Sequence, residues 1–397
     1  MAEQSIILLR NDGVLPLAPG TRVAVVGPCG DEPRTFMGCY SFPNHILGRY
    51  EGRGLGIAAD SLAVALRAAL GEDLVTSSTG VPILDADRGR LDEAVAAAAA
   101  ADVAVIAVGD LAGLFGQGTS GEGCDSVDLS LPGLQGELVE RVLATETPVV
   151  LLVISGRPYS LGVYADRCAA VIHAFMPGEE GGPALAGVLT GAVNPSGKLP
   201  VGIPDHPGGQ PGTYLAAPLA WYSAGVSNLD PRPLYPFGHG LSYTAFEVSD
   251  LRLDRAEVPA DGTVVIGATV ANIGDRAGAE VVQLYLGDEQ ASVVRPIKEL
   301  VGHAKVWLEP GASARVAFTL HADRTSFTGL DFRRIVEPGT FTVHVGTSSE
   351  DLPLSGKFTV VGAIREVGEG RVLTTPVEVL PAQPKAAREV MASVSLA

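Results

Sequence analysis

The chain has 397 residues, too many for one ordinary domain, and 46% of them are hydrophobic, so more than one sizeable core is expected. A net charge of −17 offers no basic stripe to neutralise phosphates, which argues against nucleic acid and against an anionic membrane surface as partners. Cys29, Cys39, Cys124 and Cys168 stand without a C-x-x-C spacing, fitting neither a disulfide framework nor a zinc site, and nothing in the chain demands a metal or a cofactor.

The opening "MAEQSIILLRNDG" lacks the basic and apolar regions of a secretory signal, and no apolar run is long enough to span a bilayer. A cytoplasmic protein, or a piece of a larger one, is the expectation. Five short runs rich in Val and Ile then follow: "RVAVVG" (22–27), "DLVTSS" (73–78), "DVAVIAVG" (102–109), "PVVLLVISG" (148–156) and "AAVIHAF" (169–175). Such runs suit strands buried on both faces. Helical patterns lie between them. "DSLAVALRAALG" (60–71) offers Asp60 as a cap and Gly71 as a stop. "LDEAVAAAAAA" (91–101) is rich in alanine, "LPGLQGELVERVLAT" (131–145) puts Pro132 at a first helical position, and "EEGGPALAGVLTG" (179–191) follows the fifth run. The alternation predicts an α/β domain over residues 1–215, a doubly wound, mostly parallel sheet whose site lies past the carboxyl ends of its strands.

Residues 192–247 are dense in Pro, Gly and aromatics and fit no helix or long strand. Residues 216–247 are expected to be an ordered connector wrapped on the first domain. From about residue 248 the period changes to two. "TVVIGATVAN", "AEVVQLYLGD", "KELVGHAKVWL", "ARVAFTL" and "GTFTVHVGTS" predict an antiparallel β-sandwich of immunoglobulin or fibronectin type over 248–362. Residues 363–397 are polar with a weak pattern and are expected to form an extended arm or a mobile tail.

The stretch "GQGTSGEGCDSVDLSLPG" (116–133) carries the functional question. It contains a G-x-G-x-x-G (Gly116, Gly118, Gly121), which in a dinucleotide site joins strand directly to helix so that the helix N-terminus meets the pyrophosphate. Here "DLAGLF" separates the strand end from Gly116, and the next helical pattern begins well past Gly121, so that geometry is not expected. The same stretch sets Glu122 between Gly121 and Gly123, which free the backbone to carry a carboxylate close to a ligand. From the residues alone, Glu122 stays open between a mobile acid and a solvated surface charge. His173 reads as a core histidine and His239 as a structural or rim residue.

Seven strings resemble glycoside hydrolase family 3, in order and in spacing. They are "SIILLRNDGVLPL", "VAVVGP", "FMGCYSF", "GEGCDSVDLSLPGLQGELV", "LLVISGRP", "FMPGEEGGPALAGVLTGAVNPSGKLPVGIP" and "PLYPFGHGLSYTAF". The resemblance implies an α/β sandwich followed by a fibronectin-III-like domain, the second and third domains of exo-acting retaining β-glycosidases. It implies that Glu122 is the general acid/base, that Tyr40 flanks a leaving-group sugar together with Asp125, and that Asp110, Gly121 and Gly123 support the loop. The implied substrate is an oligosaccharide or aryl β-glycoside. The family's nucleophile is an aspartate in a Ser-Asp-Trp-like string on a preceding (β/α)8 barrel, and no Asp-Trp pair occurs in this chain. The implied partner is therefore a barrel domain or subunit that supplies the nucleophile. The alternative is a non-catalytic carbohydrate-binding or protein-interaction remnant of the same family.

Overall fold

The computed structural model of the chain describes residues 1–381 except 48, 49, 51, 210, 211 and 222–224. Its first half is built on a six-stranded sheet of β1 (Ile7–Asn11), β2 (Val23–Val26), β3 (Val75–Ser78), β4 (Val103–Gly109), β5 (Val149–Ile154) and β6 (Ala170–His173), in the order β1-β6-β5-β4-β2-β3. Strands β2 to β6 run parallel. β1, which the five Val/Ile runs did not include, caps the β6 edge antiparallel.

Two-faced burial explains the continuous apolar runs. In β5, Val150, Leu152 and Ile154 enter one core with helices α1 (Ala2–Ser5), α2 (Leu62–Leu70) and α6 (Gly181–Thr190). Val149, Leu151 and Val153 enter the other with α3 (Leu91–Ala99), α4 (Gln135–Leu143) and the short α5 (Gly162–Ala165). Alternate residues of each strand thus serve opposite faces.

Two helix starts differ from expectation. Ser61, rather than Asp60, caps α2: its Oγ accepts from the Val64 N–H at 3.2 Å. Pro132 is not the first residue of α4, because Gly133 takes a left-handed φ of 58° that a helix cannot continue through, and the helix begins at Gln135. Gly71 ends α2 with φ 113°.

The second half is a sandwich of β7 (Phe246–Leu253), β8 (Glu257–Pro259), β9 (Thr263–Asn272), β10 (Gly278–Asp288), β11 (Glu299–Leu308), β12 (Ser313–His321), β13 (Phe327–Thr328), β14 (Arg334–Val336), β15 (Gly339–Gly346), β16 (Leu354–Val361), β17 (Arg365–Glu366) and β18 (Val377–Pro381). A sheet ordered β11-β10-β15-β16-β8 faces one ordered β18-β12-β9-β7. Ile266, Val316 and Phe318 from one sheet meet Leu284, Val343 and Phe358 from the other in a single core. The sandwich does not stop at residue 362. β17 pairs with β14, and β18 adds an edge strand beside β12, with Val377 opposite Phe318. Short strands separated by turns leave too little periodicity to be read in sequence. Residues 382–397 of the expected tail lie outside the described residues.

The connector lies on the first domain, through bridges Leu8–Leu241 and Ile203–Tyr235. It also holds a short helix, α7 (Pro218–Trp221), where no helix was expected. His239 is structural: a ring nitrogen lies 2.9 Å from the Leu9 carbonyl, and the ring stacks on Tyr235. The two halves are joined by polar bonds. Asn194 donates to the Ala277 carbonyl (3.0 Å), Gln283 to that of Gly238 (3.1 Å) and Arg276 to that of Gly191 (3.3 Å). Lys198 forms an ion pair with Glu280 at 2.7 Å, the two side chains being only 12% and 9% exposed.

Removing one partner of so buried a pair leaves the other charge without compensation. We expect Lys198→Met to cost about 3–5 kcal/mol in urea unfolding, and Lys198→Met with Glu280→Gln to cost clearly less. A single-variant loss below ~1 kcal/mol would show that water reaches the pair.

His173, at the end of β6, accepts from the Phe175 N–H through Nδ1 (3.2 Å), while its buried Nε2 has no partner among the described residues. Burial lowers its pKa from 6.5 to about 4, against a smaller opposing pull from Asp110. The unfolded chain therefore takes up this proton first as pH falls. The His173 contribution is whole above the ordinary histidine pKa and is lost as pH falls towards 4. Its size is on the order of 3 kcal/mol. His173→Gln should flatten the pH dependence of the urea midpoint over that interval, and an unchanged slope would assign it to other groups.

Candidate functional site

The strand order places a switch point between β2 and β4. From β2 the chain winds towards β3, whereas from β4 it winds towards β5, so the loops leaving these adjacent strands diverge. Past the carboxyl ends of such a pair a parallel sheet opens a ligand site. The loop after β2 carries Tyr40 and the loop after β4 carries Glu122. The two meet: the Tyr40 hydroxyl donates to Glu122 Oε2. That bond, followed by burial, raises the pKa of the phenol. Tyr40 is 66% exposed, Glu122 is also exposed, and no ion pair among the described residues holds the carboxylate.

The β4 loop is folded onto itself. The Gly113 N–H donates to the Ser120 carbonyl (2.9 Å), Thr119 to Leu111 (2.9 Å) and Phe115 to the Glu122 carbonyl (2.8 Å). Gly121 and Gly123 have φ of 115° and 70°, conformations costly for other residues. A Cβ on Gly121 would also collide with the Gly113 carbonyl oxygen and with Cys39. The glycines therefore serve a tight loop, while α4 begins far beyond Gly121 and offers these residues no helix N-terminus.

Beneath the loop lies a buried polar cluster. Asp110, fully buried just after β4, accepts from the hydroxyls of Thr119 (2.8 Å), Ser155 (2.5 Å) and Tyr159 (2.5 Å). Arg157 donates to the carbonyls of Thr119 (2.6 Å) and Cys124 (2.9 Å) and to the Tyr159 hydroxyl (3.1 Å), so it grips the chain on both sides of Glu122. Burial, and next the Asp110 charge, push the Tyr159 hydroxyl and the Cys29 thiol well above their ordinary pKa values. Gln135 fastens α4 to the strand end, accepting from the Gly109 N–H (2.7 Å) and donating to its carbonyl (2.9 Å).

Tyr40, Glu122, Gly121 and Gly123 thus come together past the carboxyl ends of β2 and β4, and Asp110 lies beneath them. Asp125 is exposed, and its carboxylate makes no hydrogen bond or ion pair among the described residues. Sequence reading did not single out Thr119, Ser155, Arg157 or Tyr159. The available signal was "SGRPY" directly after β5, the strand beside β4. Phe42, Phe115 and Val127 are exposed apolar side chains of the same two loops.

Comparison with known proteins agrees with this architecture. Residues 6–243 match the glycosyl hydrolase family 3 C-terminal domain, and residues 280–349 match a fibronectin type III-like domain. A beta-xylosidase of Formosa agariphila is 38% identical over 357 residues, covering 88% of this chain and 48% of that protein. A periplasmic beta-glucosidase of Salmonella typhimurium is 34% identical over 382 residues, with the same two coverages. The solved structure of a beta-glucosidase from Listeria innocua in complex with glucose superposes with a TM-score of 0.79 at 30% identity, over 91% of this chain and 49% of that one. The chain spans about half the length of the curated relatives it matches. With more than half of its residues matched by the family's own domain and the sandwich following in order, the chain belongs to glycoside hydrolase family 3.

Proposed function

We propose that this chain is the acid/base-bearing part of an exo-acting, retaining β-glycosidase of β-glucosidase or β-xylosidase type. The observation that carries this reading is the presentation of Glu122, on a loop braced from beneath, past the carboxyl ends of the diverging strands β2 and β4. Glu122 is the general acid/base. It protonates the glycosidic oxygen as the bond breaks, then takes a proton from water in the second step. Tyr40 orients the carboxylate and presents an aromatic face to the leaving-group sugar, with Asp125 at the loop's exposed edge.

A retaining mechanism needs a second carboxylate about 5–5.5 Å from the first. In this reading a (β/α)8 barrel supplies it, docking over the loops that carry Tyr40, Phe42, Phe115 and Val127. Exposed apolar side chains gathered around one site suit such an interface. Docking would exclude water from Glu122 and bring the second carboxylate to its side, which completes the pair that the retaining mechanism needs.

The chain without a barrel should not turn over aryl β-glucosides or β-xylosides. Combined with a family barrel, it should hydrolyse them. Glu122→Ala should then slow substrates with poor leaving groups by roughly 10²–10⁴-fold and those with good leaving groups far less, with azide restoring rate. Equal losses for both would remove Glu122 from this role.

Presenting the acid also requires a firm loop. Arg157→Met removes three hydrogen bonds from a charged donor, so exchange of the Phe115 and Thr119 amides should rise by roughly 10–100-fold while the β-sandwich amides stay unchanged. Unaltered exchange in the loop would show that Asp110 and the glycines hold it without the guanidinium.

A further inference from the structure

Under the loop that carries Glu122 lies a cleft of about 380 Å³, in the size range of small-molecule sites, whose polar walls no step above uses. Its walls include Arg34, Asn44, His45, Leu114, Phe115 and Gln117. Two contacts tie it to the site. The Phe115 N–H donates to the Glu122 carbonyl, and the His45 ring meets the Tyr40 ring edge-on at 5.6 Å.

Arg34 is the notable wall residue. Asn44, only 7% exposed, is spent on holding its own loop: its amide donates to the carbonyls of Arg34 (3.2 Å), Met37 (2.7 Å) and Gly38 (3.4 Å). Its remaining oxygen accepts from Arg34 Nε at 3.3 Å. The guanidinium is thereby fixed at Nε, while its two terminal nitrogens make no hydrogen bond or ion pair among the described residues. The nearby Glu32 carboxylate is engaged by the Arg34 backbone N–H (3.0 Å) rather than by the guanidinium. A part-buried, pre-oriented cation with its donor edge free is suited to a carboxylate, which it can take in bidentate fashion.

We propose that this cleft seats a hexuronic acid ring, with its carboxylate on Arg34. His45 and Gln117 offer polar partners for ring hydroxyls, and Leu114 and Phe115 an apolar wall for the ring C–H face. The placement on the leaving-group side rests on the reading of Glu122 as the acid/base. The enzyme would then favour oligosaccharides whose next sugar is acidic. The acidic ring itself is recognised by residues other than Glu122.

The test is an NMR-detected titration of the full chain with methyl β-D-glucuronide, methyl β-D-glucoside and benzoate. The glucuronide should bind at least about tenfold more tightly than the glucoside at low salt, with the advantage shrinking as salt rises. Arg34→Gln should abolish that advantage, Arg34→Lys should keep only part of it, and Glu122→Gln should leave it in place. The readout needs no turnover, so failure of the acid/base reading does not disturb it. The proposal is overturned if neither sugar binds, if both bind equally, if Arg34→Gln keeps the preference, or if Glu122→Gln loses it. It is also overturned if benzoate matches the glucuronide, which would mark a bare anion site.

Discussion

The site depends on a carboxylate that never meets solvent. Asp110 is fully buried, and three hydroxyls from two different loops converge on it. A polar group in that position is tolerable because three hydroxyls satisfy it. The same three donors define the shape of the loop above. Thr119 belongs to the excursion carrying Glu122, and Ser155 and Tyr159 belong to the turn after β5. Their shared acceptor therefore fixes one loop against the other, and Arg157 extends the cluster to carbonyls on both sides of Glu122.

The division of labour follows from the sheet. Parallel strands buried on both faces give a rigid floor, and their divergence between β2 and β4 decides where a crevice opens. The chain places the Glu122 carboxylate there and the Tyr40 ring against it. Around it the apolar side chains of Phe42, Phe115 and Val127 are exposed, and the sheet does not cover them.

Much of this was legible in the sequence. Continuous Val/Ile runs alternating with helical patterns gave the doubly wound sheet, and the change of period gave the sandwich. Glu122 was visible only as a carboxylate between glycines, and resemblance supplied its role. Of the cluster beneath it only Asp110 was named, as a loop support, because Thr119, Ser155, Arg157 and Tyr159 are ordinary polar residues on two segments far apart in the chain. Only the adjacency of β4 and β5 gathers them. The start of α4 was misread because a proline signals a helix from local conformation alone, whereas the left-handed Gly133 decides where the helix can begin. β17 and β18 escaped because pairing, not periodicity, defines so short a strand.

The junction between the halves differs from the protein's surface in how it responds to salt. Surface pairs such as Arg22–Asp102 lie within reach of counterions and weaken as ionic strength rises. Lys198–Glu280 is shielded from them, and the neighbouring bonds from Asn194, Gln283 and Arg276 end on backbone carbonyls, which carry no net charge to screen. The contacts that join the sheet domain to the sandwich are therefore less sensitive to ionic strength than the surface pairs are.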